Sequence, residues 1–122
     1  MTRLARVFAA AFLSAASLLP VPALAGYSFP SVDGGTIDLE DFKGKPVLVV
    51  NTASLCGFAP QFEDMQALQD EYGEKLVVLA VPSNDFDQEL ADGKAAKDYC
   101  AANFDITLPM TDITHVTGPE IG

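Results

Sequence analysis

The sequence predicts a single α/β domain built on a parallel sheet. Two continuous apolar runs, Val47-Leu48-Val49-Val50 and Leu76 to Val81, have the β-branched content of strands buried on both faces. Each is followed by a segment with helical potential. Strand, helix, strand, helix in that order implies parallel pairing through right-handed crossovers. A chain of 122 residues leaves room for one such domain and no more.

The amino terminus precedes that domain as a targeting segment. Arg3 and Arg6 open it without an acid, Val7 to Leu19 is apolar apart from Ser14 and Ser17, and Pro20-Val21-Pro22-Ala23-Leu24-Ala25 closes it. A basic start, an apolar middle and a small-x-small end are the parts of a secretory signal peptide, with cleavage expected after Ala25. The apolar stretch is too short for an uncleaved membrane-spanning anchor. The expectation is a periplasmic or secreted domain of residues 26–122, with no membrane attachment after cleavage.

The mature elements follow in order. Tyr27-Ser28-Phe29 and Thr36-Ile37-Asp38-Leu39 alternate apolar and polar residues around Asp33-Gly34-Gly35, the signature of a short hairpin. Asp38 to Gly44 suits a helical turn. After the strand at Val47, the apolar residues Phe62, Met65, Leu68 and Tyr72 step by three, three and four, which sets them on one helical face. Gly73 stops that helix. After the strand ending at Val81, Asp92 can cap a second helix running to about Asn103, with Ala95, Ala96, Tyr99 and Cys100 facing inward. Ile106 to Met110 is a third extended stretch.

Composition removes several function classes. Seventeen acids against seven basic residues give a net charge of −10, and the targeting segment takes both arginines with it. Binding nucleic acid needs clustered lysine and arginine, so it is excluded. Two cysteines cannot make a disulfide scaffold. Cys100 and His115 are too isolated to form a metal site, and His115 reads as a surface or turn residue.

Cys56 is the chemical candidate. Open α/β sheets carry their chemistry at the carboxyl ends of strands, and Cys56 falls between a strand end and a helix start. Unpaired N–H groups and the partial positive charge of a helix start favour a thiolate, which is the nucleophile. Gly57 allows close backbone approach, and Pro60 suits the first helical turn. Spacing alone leaves a buried, inert cysteine equally open.

The surrounding residues carry a resemblance. Asn51-Thr52-Ala53-Ser54-Leu55-Cys56-Gly57-Phe58-Ala59-Pro60-Gln61-Phe62 resembles the peroxidatic-cysteine motif of the glutathione peroxidase family. Gly44 to Val50 is similar to that family's lead-in strand, Val81-Pro82-Ser83-Asn84-Asp85-Phe86 with Gln88-Glu89 to its second signature, and Leu108-Pro109-Met110 to a later step. The resemblance runs from about Phe29 to Gly118. It implies a thioredoxin-like fold and a peroxidase in which the Cys56 thiolate attacks a hydroperoxide and becomes a sulfenic acid, with no metal or organic cofactor. Ala59 stands where a Cys-x-x-Cys oxidoreductase has its second cysteine. The competing reading is a redox-inactive thioredoxin-fold interaction module that kept the motif.

By the same resemblance, Cys100 is the resolving cysteine, which forms a disulfide with oxidised Cys56 for a dithiol protein to reduce. From an intact helix its sulfur is not expected to reach Cys56, so local unwinding is expected. Asp85 departs from the family's glutamine. Either it points away from the sulfur, or it is protonated, or Asn84 and backbone amides do its work. Glutathione is anionic, while the mature region has no arginine and only five lysines, none close to Cys56 in sequence. The expected reductant is therefore a thioredoxin-like protein in preference to glutathione. Family members continue for some tens of residues, including a tryptophan and an asparagine of the reactive centre. This chain has no tryptophan. The expectation is a fold lacking its C-terminal part, with an open sheet edge.

Overall fold

In the computed structural model, which describes residues 26–121, the chain runs β1, β2, β3, α1, β4, α2. The expected targeting segment, residues 1–25, lies outside the described residues. β1 (Ser28–Pro30) and β2 (Thr36–Asp38) form the predicted antiparallel hairpin, with Phe29 opposite Ile37. Gly34 and Gly35 sit at φ 89° and 75°, a region that side chains avoid, so the turn depends on them. A 3-10 turn over Leu39–Phe42 follows, and Asp38 caps it by accepting the Glu40 amide at 2.9 Å.

β3 (Val47–Thr52) and β4 (Val77–Pro82) pair in parallel, from Val47 opposite Val77 to Thr52 opposite Pro82. α1 (Gln61–Tyr72) is the crossover between them, and α2 (Gly93–Phe104) follows β4. The third extended stretch lies along the other side of β4. Ala80 donates to the Pro109 carbonyl and Thr111 donates back to the Ala80 carbonyl, both at 3.0 Å. This stretch also receives the hairpin, with Val32 donating to Met110 and Asp112 to Pro30.

Side-chain alternation gives β4 two covered faces. Val78 and Ala80 join Phe62 of α1, Cys100 of α2, and Ile106, Leu108 and Met110 in one core cluster. Leu79 is fully buried on the opposite face. β3 corrects the sequence reading of a strand buried on both faces. Leu48 is 40% and Val49 46% exposed. Among the described residues no strand pairs with the outer edge of β3. A β-branched run specifies a strand, but its burial depends on neighbours the run does not encode.

The helices hold most of their expected faces. Phe62 is buried, and Met65 and Leu68 pack against the core. Tyr72, in the last turn, stays exposed instead of joining them. Two glutamines fasten α1: Gln69 accepts the Val78 amide at 2.8 Å and Gln66 accepts the Thr107 amide at 2.7 Å. Gly73 ends the helix at φ 53°. Asp92 caps α2 as expected, accepting the Ala95 amide at 2.8 Å. Ala96 and Cys100 are fully buried, while Ala95 and Tyr99 are half-buried. Phe104 closes this layer, stacking on Phe62 with ring centroids 5.5 Å apart.

Candidate active site

The connection from β3 to α1 carries Cys56 and is built from successive tight turns. The Cys56 amide donates to Ala53 at 3.3 Å, Ala59 to Cys56 at 2.9 Å, and Gln61 to Phe58 at 2.9 Å. These turns aim the Phe58 amide at Cys56 Sγ, 3.5 Å away. α1 begins at Gln61, five positions after the cysteine. The sulfur's donor is thus an amide of the loop, where the sequence reading expected the helix terminus itself. Cys56 is half-buried and lines a cleft of about 90 Å³ with Asn51, Thr52, Phe58, Phe62 and Met65. A sulfur reachable by a small molecule, with an N–H directed at it, is competent for nucleophilic attack.

Cys100 occupies the opposite environment. It is fully buried within α2, and both cysteines are free thiols. Burial pushes the Cys100 thiol up, a hydrogen bond with Ser54 pulls it the other way, and the charge of Glu89 adds to the rise. Ser54 Oγ lies 3.2 Å from Cys100 Sγ. The Cys56 loop therefore touches the second cysteine through the side chain of a residue two positions before the first.

Glu89 ties this arrangement together. It is only 7% exposed. Its Oε2 accepts the Ser54 amide at 3.0 Å and its Oε1 accepts the Leu90 amide at 2.7 Å. Its own amide donates to Asn84 Oδ1 at 3.0 Å, and the Leu55 amide donates to the Gln88 carbonyl at 2.9 Å. The sequence reading missed the roles of Ser54 and Glu89. The available signal was an acid flanked by hydrophobic and turn residues with no lysine beside it, which is a carboxylate needing backbone donors if it is buried.

Asp85 points away from Cys56, the first of the three readings left open for it. Its carboxylate accepts His115 Nδ1 at 2.8 Å and the amides of Val116 and Thr117 at 2.6 and 2.9 Å. The His115 hydrogen bond, followed by the Val116 amide, holds the Asp85 carboxyl well below the usual carboxylate range. His115 is raised in turn by that bond and by the Asp85 charge. The ring is exposed, as expected, and its Nε2 lies 3.7 Å from Glu120. Asn84 directs its side-chain oxygen to Glu89, not to the sulfur. Among the described residues no group of three or more His, Cys, Asp or Glu side chains gathers as a metal site.

The comparisons with known proteins bear on family and fold. A family model described as glutathione peroxidase matches residues 24–121. The hydroperoxy fatty acid reductase gpx1 of Synechocystis is 40% identical over 97 residues, covering 78% of this chain and 57% of that protein. A glutathione peroxidase of Lactococcus lactis is 39% identical over 98 residues, covering 77% of this chain and 62% of its own. The chain thus spans somewhat over half the length of these curated relatives. Among solved structures, Trgpx in its apo form superposes with a TM-score of 0.55 at 34% identity, covering 79% of this chain and 56% of that one. The exposed lipoprotein thioredoxin Etrx1 of Streptococcus pneumoniae superposes at 0.56 with 29% identity, covering 73% and 65%. These likenesses confirm the expected thioredoxin-like fold. With the motif around Cys56 seated at the strand end and the match extending from residue 24 to residue 121, the chain belongs to the glutathione peroxidase family.

Proposed function

We propose that the chain is a thiol peroxidase acting on hydrogen peroxide and organic hydroperoxides through Cys56. The observation that carries this reading is the half-buried Cys56 sulfur in its cleft with the Phe58 amide directed at it. The thiolate attacks one peroxide oxygen. An S–O bond forms, the O–O bond breaks, and the leaving oxygen takes a proton and departs as water or an alcohol. The exposed ring of Phe58 and the side chains of Phe62 and Met65 give the cleft apolar surface suited to an organic hydroperoxide.

Cys100 then resolves the sulfenic acid: its sulfur bonds to Cys56, the S–O bond breaks, and water leaves. A reduced dithiol protein returns both thiols by exchange. No lysine lines the cleft. Lys43, Lys94 and Lys97 are each engaged by a carboxylate, from Glu40, Asp98 and Asp33. Such surroundings favour a thioredoxin-like protein over anionic glutathione. The basic, apolar, small-residue amino terminus supports export, and with it a periplasmic or secreted setting for this chemistry.

One equivalent of peroxide tests the reading. The wild type should lose both thiols and gain one Cys56–Cys100 disulfide. Cys100→Ser should accumulate Cys56 as sulfenic or sulfinic acid, and Cys56→Ser should consume no peroxide. A Cys56 that reacts no faster than free cysteine would leave the redox-inactive interaction module as the correct description.

A further inference from the structure

Glu89 is a buried carboxylate with no lysine in salt-bridge range among the described residues, held entirely by backbone amides. Those amides belong to two segments, one carrying Cys56 and one leading to the helix of Cys100. Ser54 is in the Cys56 loop, and Leu90 leads into α2, three residues before the helix begins. Ser54 adds the second half of the connection by placing its hydroxyl on the Cys100 sulfur. From Glu89 through Ser54 to Cys100, one chain of hydrogen bonds joins the loop of the first cysteine to the helix of the second.

We infer that Glu89 is a positioning residue that retains Cys100 in α2 and so sets the rate at which oxidised Cys56 is resolved. This inference rests on the proposed peroxidase reading. Neither Glu89 nor Ser54 is assigned contact with peroxide or with the reacting oxygen. Their effect is exerted on the second step, in which the Cys100 sulfur leaves its buried site, bonds to Cys56 and releases water. Both Glu89 oxygens accept an N–H. A glutamine in its place keeps the shape but has one acceptor oxygen, so its NH2 must face one of the two amides.

The experiment mixes the full chain rapidly with one equivalent of hydrogen peroxide. Sulfenic acid at Cys56 and the Cys56–Cys100 disulfide are followed separately by quenched labelling and mass spectrometry. In Glu89→Gln the rate of disulfide formation, divided by the rate of sulfenic acid formation, should rise about tenfold, the scale of losing one hydrogen bond to a carboxylate. Ser54→Ala, which spares both Glu89 bonds and removes the hydroxyl from Cys100, should raise the same ratio by a smaller factor. General loosening of α2 would also free Cys100, so Asp92→Ala, which removes the helix cap without touching Glu89 or Ser54, is the control, and a rise in Asp92→Ala equal to that in Glu89→Gln overturns the assignment. A flat or falling ratio in both variants, while the wild type still forms sulfenic acid, overturns the Glu89 assignment and leaves the peroxidase reading standing. A wild type that forms sulfenic acid but no disulfide, with Glu89→Gln equally silent, also overturns it. A wild type that forms no sulfenic acid defeats the peroxidase reading itself.

Discussion

Asp85 accepts three hydrogen bonds from the segment His115 to Thr117, and the two ionisable partners titrate in opposite directions. A carboxyl held below its ordinary value stabilises the fold above its unfolded pKa, near about 4, and loses that contribution as pH falls through the folded value. An imidazole raised above its ordinary value contributes fully below its unfolded pKa, near about 6.5, and loses its contribution as pH rises through the folded value. Docking of this segment should therefore be tightest between about pH 4 and 6.5. Amide exchange at Val116 and Thr117, corrected for its intrinsic pH dependence, should be slowest there and faster at pH 8. His115→Ala should remove the alkaline part of the profile. A separate expectation concerns chemistry: Asp85→Gln should leave the pH dependence of Cys56 alkylation unchanged, because the side chain is engaged elsewhere. The place of Cys56 between a strand end and a helix was legible in the sequence because its cues are local. The direction of Asp85 was not, since its partners lie 30 to 32 positions along the chain. Glu89 escaped for a related reason, because backbone amides have no signature in a list of side chains.

At the scale of elements, α2 starts at a glycine that packs rather than bends. A Cβ at Gly93 would collide with Asp112 Oδ1 and lie 3.2 Å from both Asp112 Cα and Val32 Cγ2. Asp112 has little freedom to yield, because its carboxylate accepts the Ile113 amide and its own amide donates to Pro30, each at 2.8 Å. Alanine gains up to about 1 kcal/mol over glycine in a helix, while overpacking costs about 1–3 kcal/mol. Gly93→Ala should thus destabilise the domain by about 1 kcal/mol in chemical denaturation, against its helix propensity. Asp92→Ala should cost a similar amount, about 1 kcal/mol, through loss of the cap on Ala95. Both helices and the hairpin were readable from spacing, caps and turn residues, and their bounds shifted by only a residue or so. What spacing missed was position in the assembly. Tyr72 has the right phase but sits in a turn that the core does not reach, and β3 has strand chemistry but one neighbour.

For the whole molecule, the outer edge of β3 is the main liability. Leu48 and Val49 are part-exposed on a strand whose outer N–H and C=O groups meet no other strand among the described residues. Val49 also borders an apolar groove of about 470 Å³ together with Phe29, Val81 and Val116. Residues 26–122 should therefore self-associate, with a sedimentation mass that rises with concentration. Val49→Lys should suppress this without lowering the thermal midpoint, since it places charge on a part-exposed edge position. A concentration-independent monomer mass for the wild type would contradict the expectation.

The contrast between the two sulfurs turns the reduced protein into a clock for its own motion. An excess of alkylating reagent should mark one thiol quickly in the native protein and both in denaturant, because Cys100 is fully buried and Cys56 is not. At high reagent concentration, the slow arrival of the second mark no longer depends on the reagent. It counts how often α2 opens.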